Sequence, residues 1–80
     1  MSNLSPKQIR DFIEEYLSIL YKGSCDLEIT FLVKNTGPDY WKINIRFKKS
    51  SLDFFSIVAA IKMEPDGAIS EFKEGWSWRH

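Results

Sequence analysis

One cysteine and one histidine in eighty residues leave this chain short of the usual means of chemistry. A single thiol, Cys25, allows no internal disulfide, which points to a reducing compartment and to a small core or loop residue. His80 is the last residue, a poor place to hold a general base at a fixed distance from a substrate. Without a second histidine or a cysteine pair there is no zinc-ligand set. No acidic loop has calcium-ligand spacing, and no glycine-rich loop suits a phosphate. Glu14 and Glu15 fall on the polar side of a helix and not in a cleft. The sequence therefore predicts no catalytic residue, no metal and no cofactor.

Long apolar runs are also missing. The longest, Phe54 to Ile61, is far too short to span a bilayer. Met1-Ser-Asn-Leu-Ser-Pro lacks the basic and apolar regions of a leader peptide. A soluble, cytoplasmic protein with no membrane partner is the expectation. Excess charge is absent too: the formal net charge is zero. Its distribution is uneven, with −2 over residues 1–28, +4 over 29–62 and −2 over 63–80. A basic middle between acidic ends can steer a partner.

What is present is 44% apolar and 15% aromatic residues, the content of one folded domain spanning 1–80. The hydrophobic period changes once. Leu4-Ser5-Pro6-Lys7-Gln8-Ile9 is a helix start: Ser5 and Gln8 form a capping box, Pro6 takes the first helical position, and Leu4 and Ile9 form a hydrophobic staple. Ile9, Phe12, Ile13, Tyr16, Leu17 and Leu20 then make one buried stripe, opposite Arg10, Asp11, Glu14, Glu15 and Ser18. The helix is expected from Pro6 to about Lys22, stopped by Gly23.

From Leu27 the apolar residues alternate. A strand over Leu27–Lys34 sends Leu27, Ile29, Phe31 and Val33 to one side, and Asn35-Thr-Gly-Pro-Asp39 turns it. The next sends Trp41, Ile43, Ile45 and Phe47 in, and Lys42, Asn44, Arg46 and Lys48 out. A third, Phe54–Glu64, directs Phe55, Ile57, Ala59, Ile61 and Met63 inward. Glu64-Pro-Asp-Gly67 reads as a type I turn with glycine at positive φ, and a last strand runs from Ala68 toward Trp78, with Gly75 marking a bulge. Short connections pair neighbours in sequence. The predicted fold is α+β: an N-terminal helix packed on one face of a four-stranded antiparallel meander, α-β-β-β-β, with Phe12, Tyr16, Ile43 and Ile45 at its centre.

One helix covers one face of a sheet, so the other should be polar. Leu32, Phe54, Val58 and Ala60 break that rule. Either loops and curvature cover them, or a protein partner or second copy does, making a homodimer. Trp76 and Trp78 share one side of an extended strand: either they plug the core beneath the helix, Trp76 buried and Trp78 partly exposed, or they supply contact area. Leu32, Phe54, Val58, Trp76 and Trp78 are thus the candidate partner contacts. The outward row Lys42, Arg46 and Lys48, with Tyr40 nearby, is either a solvated face or a nucleic-acid contact surface. A protein-interaction or assembly module working through an apolar sheet face is the expected function, with nucleic-acid binding as its alternative and a small-molecule-binding or enzymatic domain third.

Trp41-Lys-Ile43-Asn-Ile45, the apolar strand Ile57 to Met63, and Asp66-Gly67-Ala68-Ile69 form a strand, strand, Asp-Gly turn and aromatic-bearing last strand. In this half the chain resembles the C-terminal region of the gas vesicle accessory protein O family and PepSY-type modules. The N-terminal helix lies outside the resemblance, and the family's C-terminal arginine cluster is reduced to Arg79. The resemblance implies a non-catalytic assembly or regulatory module and carries over no site.

Overall fold

The helix begins where its cap chemistry places it. In a computed structural model, which describes residues 4–79, Ser5 Oγ accepts from the Gln8 amide at 3.2 Å and the Gln8 side chain accepts from the Ser5 amide at 2.8 Å. Helix α1 (Pro6–Leu20) ends two residues earlier than the pattern suggests, because Tyr21 leaves helical geometry while its N–H still reaches the Leu17 carbonyl. His80 and Met1–Asn3 lie outside the described residues. Among the described residues no helix is long and apolar enough to cross a membrane.

Strands β1 (Cys25–Asn35), β2 (Tyr40–Lys48), β3 (Ile57–Met63) and β4 (Ile69–Glu74) form one antiparallel sheet in the order β1-β2-β3-β4. This is the expected α-β-β-β-β meander. Helix residues Ile9, Ile13 and Leu17 meet Ile43, Ile45, Phe47, Ala59, Ile61 and Met63 in a continuous buried core. Ile43 and Ile45 are central as expected. Phe12 and Tyr16 are not: Phe12 is 37% exposed and Tyr16 half-buried, because the stripe is centred on the Ile9–Ile13–Leu17 row and both rings flank it on the β4 side. The Phe12 ring closes over Gly67, where an added Cβ would lie 2.4 Å from it. Gly67, at φ +97°, donates to the Glu64 carbonyl, while Glu64 donates to Ala68, giving the expected turn with a positive-φ glycine.

A β-bulge corrects the facing of β1. Ile29 opposes Ile45 but Phe31 opposes Asn44, leaving Thr30 as the extra residue. Every later side chain is thereby reversed: Leu32 pairs with Ile43 and packs on the core, whereas Phe31 and Val33 lie on the outer face. Leu32 is therefore not an outer-face contact residue. β3 also begins later than Phe54, at Ile57. Phe54 and Phe55 belong to the β2–β3 connection, so Phe55 does not point inward. The irregularity in β4 falls between the Lys62 and Met63 pairings, and Gly75 ends the strand instead of bulging within it.

Candidate functional site

Two surfaces depart from what solvent alone would favour. The first is the β2–β3 loop. Leu52, Phe54 and Phe55 are 88%, 91% and 84% exposed, and Val58 follows at the start of β3. Local hydrogen bonds from Asp53 N–H to the Ser50 carbonyl and from Leu52 N–H to Ser50 Oγ shape the loop without covering it. Its base is anchored. Tyr21 Oη donates to Glu74 Oε1 at 2.7 Å, Lys49 Nζ lies 3.2 Å from Glu74 Oε2, and the same ammonium sits 5.1 Å over the Tyr21 ring. The hydrogen bond raises the Tyr21 pKa above its ordinary value, with burial adding to the shift. It also lowers that of Glu74, with help from Lys49. The end of α1, the end of β4 and the start of the loop are thus tied into one knot beneath three solvent-facing apolar side chains.

The second surface is the outer face of the sheet. Past Gly75 the chain leaves β4 and crosses this face as a strap, held by Asn44 at the middle of β2. The Trp78 N–H donates to Asn44 Oδ1 at 2.7 Å, and Asn44 Nδ2 donates to the Trp78 carbonyl at 3.0 Å. The indole Nε1–H donates to the Ile61 carbonyl at 2.8 Å. Lys42 Nζ lies 5.4 Å over the Trp78 ring, and the Tyr40 ring is 6.4 Å away with Lys62 Nζ over it at 4.6 Å. Neither tryptophan plugs the core beneath the helix. The expected split is also inverted: Trp78 is half-buried and Trp76 is 63% exposed, because the strap touches the sheet at Trp78, four residues beyond the end of β4 at Glu74. A cleft of about 250 Å³ opens beside it, lined by Ala60, Glu71, Lys73, Trp76, Trp78 and Arg79.

The basic row predicted on β2 is divided. Tyr40 and Lys42 join the Trp78 cluster, but Arg46 pairs with Glu28 across the strands and Lys48 lies 3.6 Å from Asp26. Lys73 Nζ sits 5.2 Å over Trp76 and 3.6 Å from Glu71. Of the predicted partner contacts, Phe54 lies at the loop, Trp76 and Trp78 lie on the outer face, and Val58 sits between the two surfaces. Leu52 and Phe55, nearly as exposed as Phe54, are not among the predicted contacts. The signal for them was Ser50, Ser51, Asp53 and Ser56, which break the strand alternation around these side chains.

Another cleft, about 380 Å³ between α1 and β1, contains Cys25. Its charged groups are engaged: Arg10 pairs with Glu14 and donates to the Leu27 carbonyl, and Asp26 pairs with Lys48. Among the described residues no three histidine, cysteine or acidic side chains are grouped to hold a metal ion. No family model, curated protein or solved structure matches the chain.

Proposed function

We propose that this protein is a small non-enzymatic protein-interaction module whose principal contact is the β2–β3 loop. The observation carrying this reading is the near-complete exposure of Leu52, Phe54 and Phe55 on one short connection. Monomeric proteins seldom leave contiguous large apolar side chains uncovered, and aromatic anchors dominate binding energy where they become buried. Burying each contributes about 1.5–3 kcal/mol, a gross gain comparable with the entropic cost of association. The loop is thus an anchor that needs surrounding area, for which the exposed Val58 at the start of β3 is available. The assembly role implied by the resemblance of the C-terminal half agrees with this reading.

The test compares the wild type with a Leu52→Ser/Phe54→Ser/Phe55→Ser variant. These positions contribute little to the core, so the variant is expected to melt with the wild type. Association seen by sedimentation over a concentration series, or partners retained on the wild-type chain as bait, should disappear. A strictly monomeric wild type whose retained partners are unchanged by the substitutions would remove the loop from consideration.

A second reading draws on the outer face, where Lys42 over Trp78 and Lys73 beside the exposed Trp76 offer cations next to stacking surfaces. Single-stranded nucleic acid is the ligand of that chemistry. Binding would weaken steeply with salt, and Lys42→Ala and Lys73→Ala would each reduce the slope. Absence of binding to labelled single strands at low salt and roughly tens of micromolar protein eliminates it.

A further inference from the structure

The hold on Trp78 has the form of a peptide-binding site. Asn44 sits on a central strand with 7% of its surface exposed, and the segment covering it belongs to no strand. Its carboxamide takes the N–H and reaches the C=O of one residue, the pair of groups an extended strand exchanges with a neighbour. Those bonds recognise backbone. Beside them, the Ile61 carbonyl takes the indole N–H while Lys42 and Tyr40 flank the ring, and those contacts recognise tryptophan. Main-chain bonds for affinity and a side-chain slot for specificity are how extended peptides are bound on sheets. Removing the segment would take away the partners of both amide atoms of Asn44 and open them to another backbone.

The segment is joined to β4 through Gly75, whose φ of +82° turns the chain out of the strand and whose N–H bonds the Val58 carbonyl. Between that bond and the Asn44 contact, Trp76 and Ser77 are exposed. The strap is thus held at its two ends and is short enough to be exchanged as a unit.

We propose that the outer-face slot of Asn44, Lys42, Tyr40 and Ile61 is a docking site for an extended, tryptophan-bearing peptide segment. Residues 75–79 fill it within one chain, and the same segment of a second copy is its occupant between chains. The second copy follows from fit: this segment satisfies the slot's backbone and indole contacts, and reciprocal exchange keeps those bonds while closing a two-fold dimer. A tethered strap competes at an effective concentration in the millimolar range, so exchange shows only when the intrachain contact is disabled.

Complementation tests this with whole chains, all carrying Leu52→Ser, Phe54→Ser and Phe55→Ser so that the loop makes no contribution. Trp78→Pro removes the N–H and the indole, giving an available slot and an inactive strap. Asn44→Leu gives an inactive slot and an available strap. Each alone is expected to remain monomeric, and an equimolar mixture to form a 1:1 complex in sedimentation, roughly tenfold or more tighter than either self-association. If Asn44→Leu does not fold, a hexapeptide of residues 75–80 is titrated onto the Trp78→Pro chain instead. It should bind about tenfold or more tightly than the same peptide carrying Trp78→Ala. Two folded variants that give no mixed complex, or two peptides of equal affinity, overturn the proposal. The loop reading survives that failure, because the loop is already silent in every arm.

Discussion

At the scale of single residues, stability rests on a few close fits. Gly67→Ala would hold a Cβ at positive φ and press it against the Phe12 ring, an expected loss of about 1–3 kcal/mol. Truncating the ring first should recover part of that loss, so thermal melts of Gly67→Ala, Phe12→Ala and the double variant should give a non-additive cycle. Trp41 presents the opposite case. Its indole N–H is buried without a hydrogen-bond partner, while Lys34 lies over the ring at 5.0 Å. Leaving such a donor unpaired costs about 1–3 kcal/mol. Trp41→Phe removes the donor and keeps most of the apolar ring, so it should destabilise less than Trp78→Phe, which breaks the bond to Ile61. Chemical unfolding of the two variants side by side checks the order.

At the scale of elements, the helix was the most legible part of the chain. Its start is written in Ser5, Pro6 and Gln8, whose interactions are local, and Ser5→Ala is expected to cost about 0.5–2 kcal/mol in a denaturant titration. β2 was equally plain, because its apolar and polar residues alternate without exception from Trp41 to Lys48. β1 was not. Phe31-Leu32-Val33 is apolar on both parities, so the pattern cannot say which side chains face the helix, and the fit of Leu32 against Ile43 decides it. The strap was illegible for another reason: Asn44 and Trp78 are 34 residues apart, and nothing near either names the other. In the loop, Phe54 and Phe55 adjoin β3 and extend its apolar run, which disguises a connection as a strand.

At the scale of the whole molecule, the described chain extends 40 × 23 × 17 Å, and the β2–β3 loop and the Gly67 turn lie at opposite ends of β3. Stability along that length should depend on pH through the knot beneath the loop. The folded state depresses the Glu74 pKa, so its contribution is present above the ordinary carboxylate value and is lost as pH falls through the lower folded value. It raises the Tyr21 pKa, so that contribution is present below the ordinary phenol value and is lost as pH rises through the higher folded one. Melting temperatures across pH should therefore show an acid limb flattened by Glu74→Gln and an alkaline limb flattened by Tyr21→Phe. The core sets the larger scale: Ile45→Asp would place an unpaired carboxylate in its centre and should abolish the cooperative transition.

Thr30 bears on how this sequence can drift. Losing one residue from a strand normally throws its remaining side chains to the wrong face. Here Ile29 and Phe31 already oppose consecutive residues of β2, so at this point the strand has one residue more than its partner needs. Excising Thr30 would close the ladder and leave Phe31 through Asn35 opposite their present neighbours. A codon deletion at position 30 should give a folded protein. A deletion at position 44, in the strand that pairs on both sides, should not.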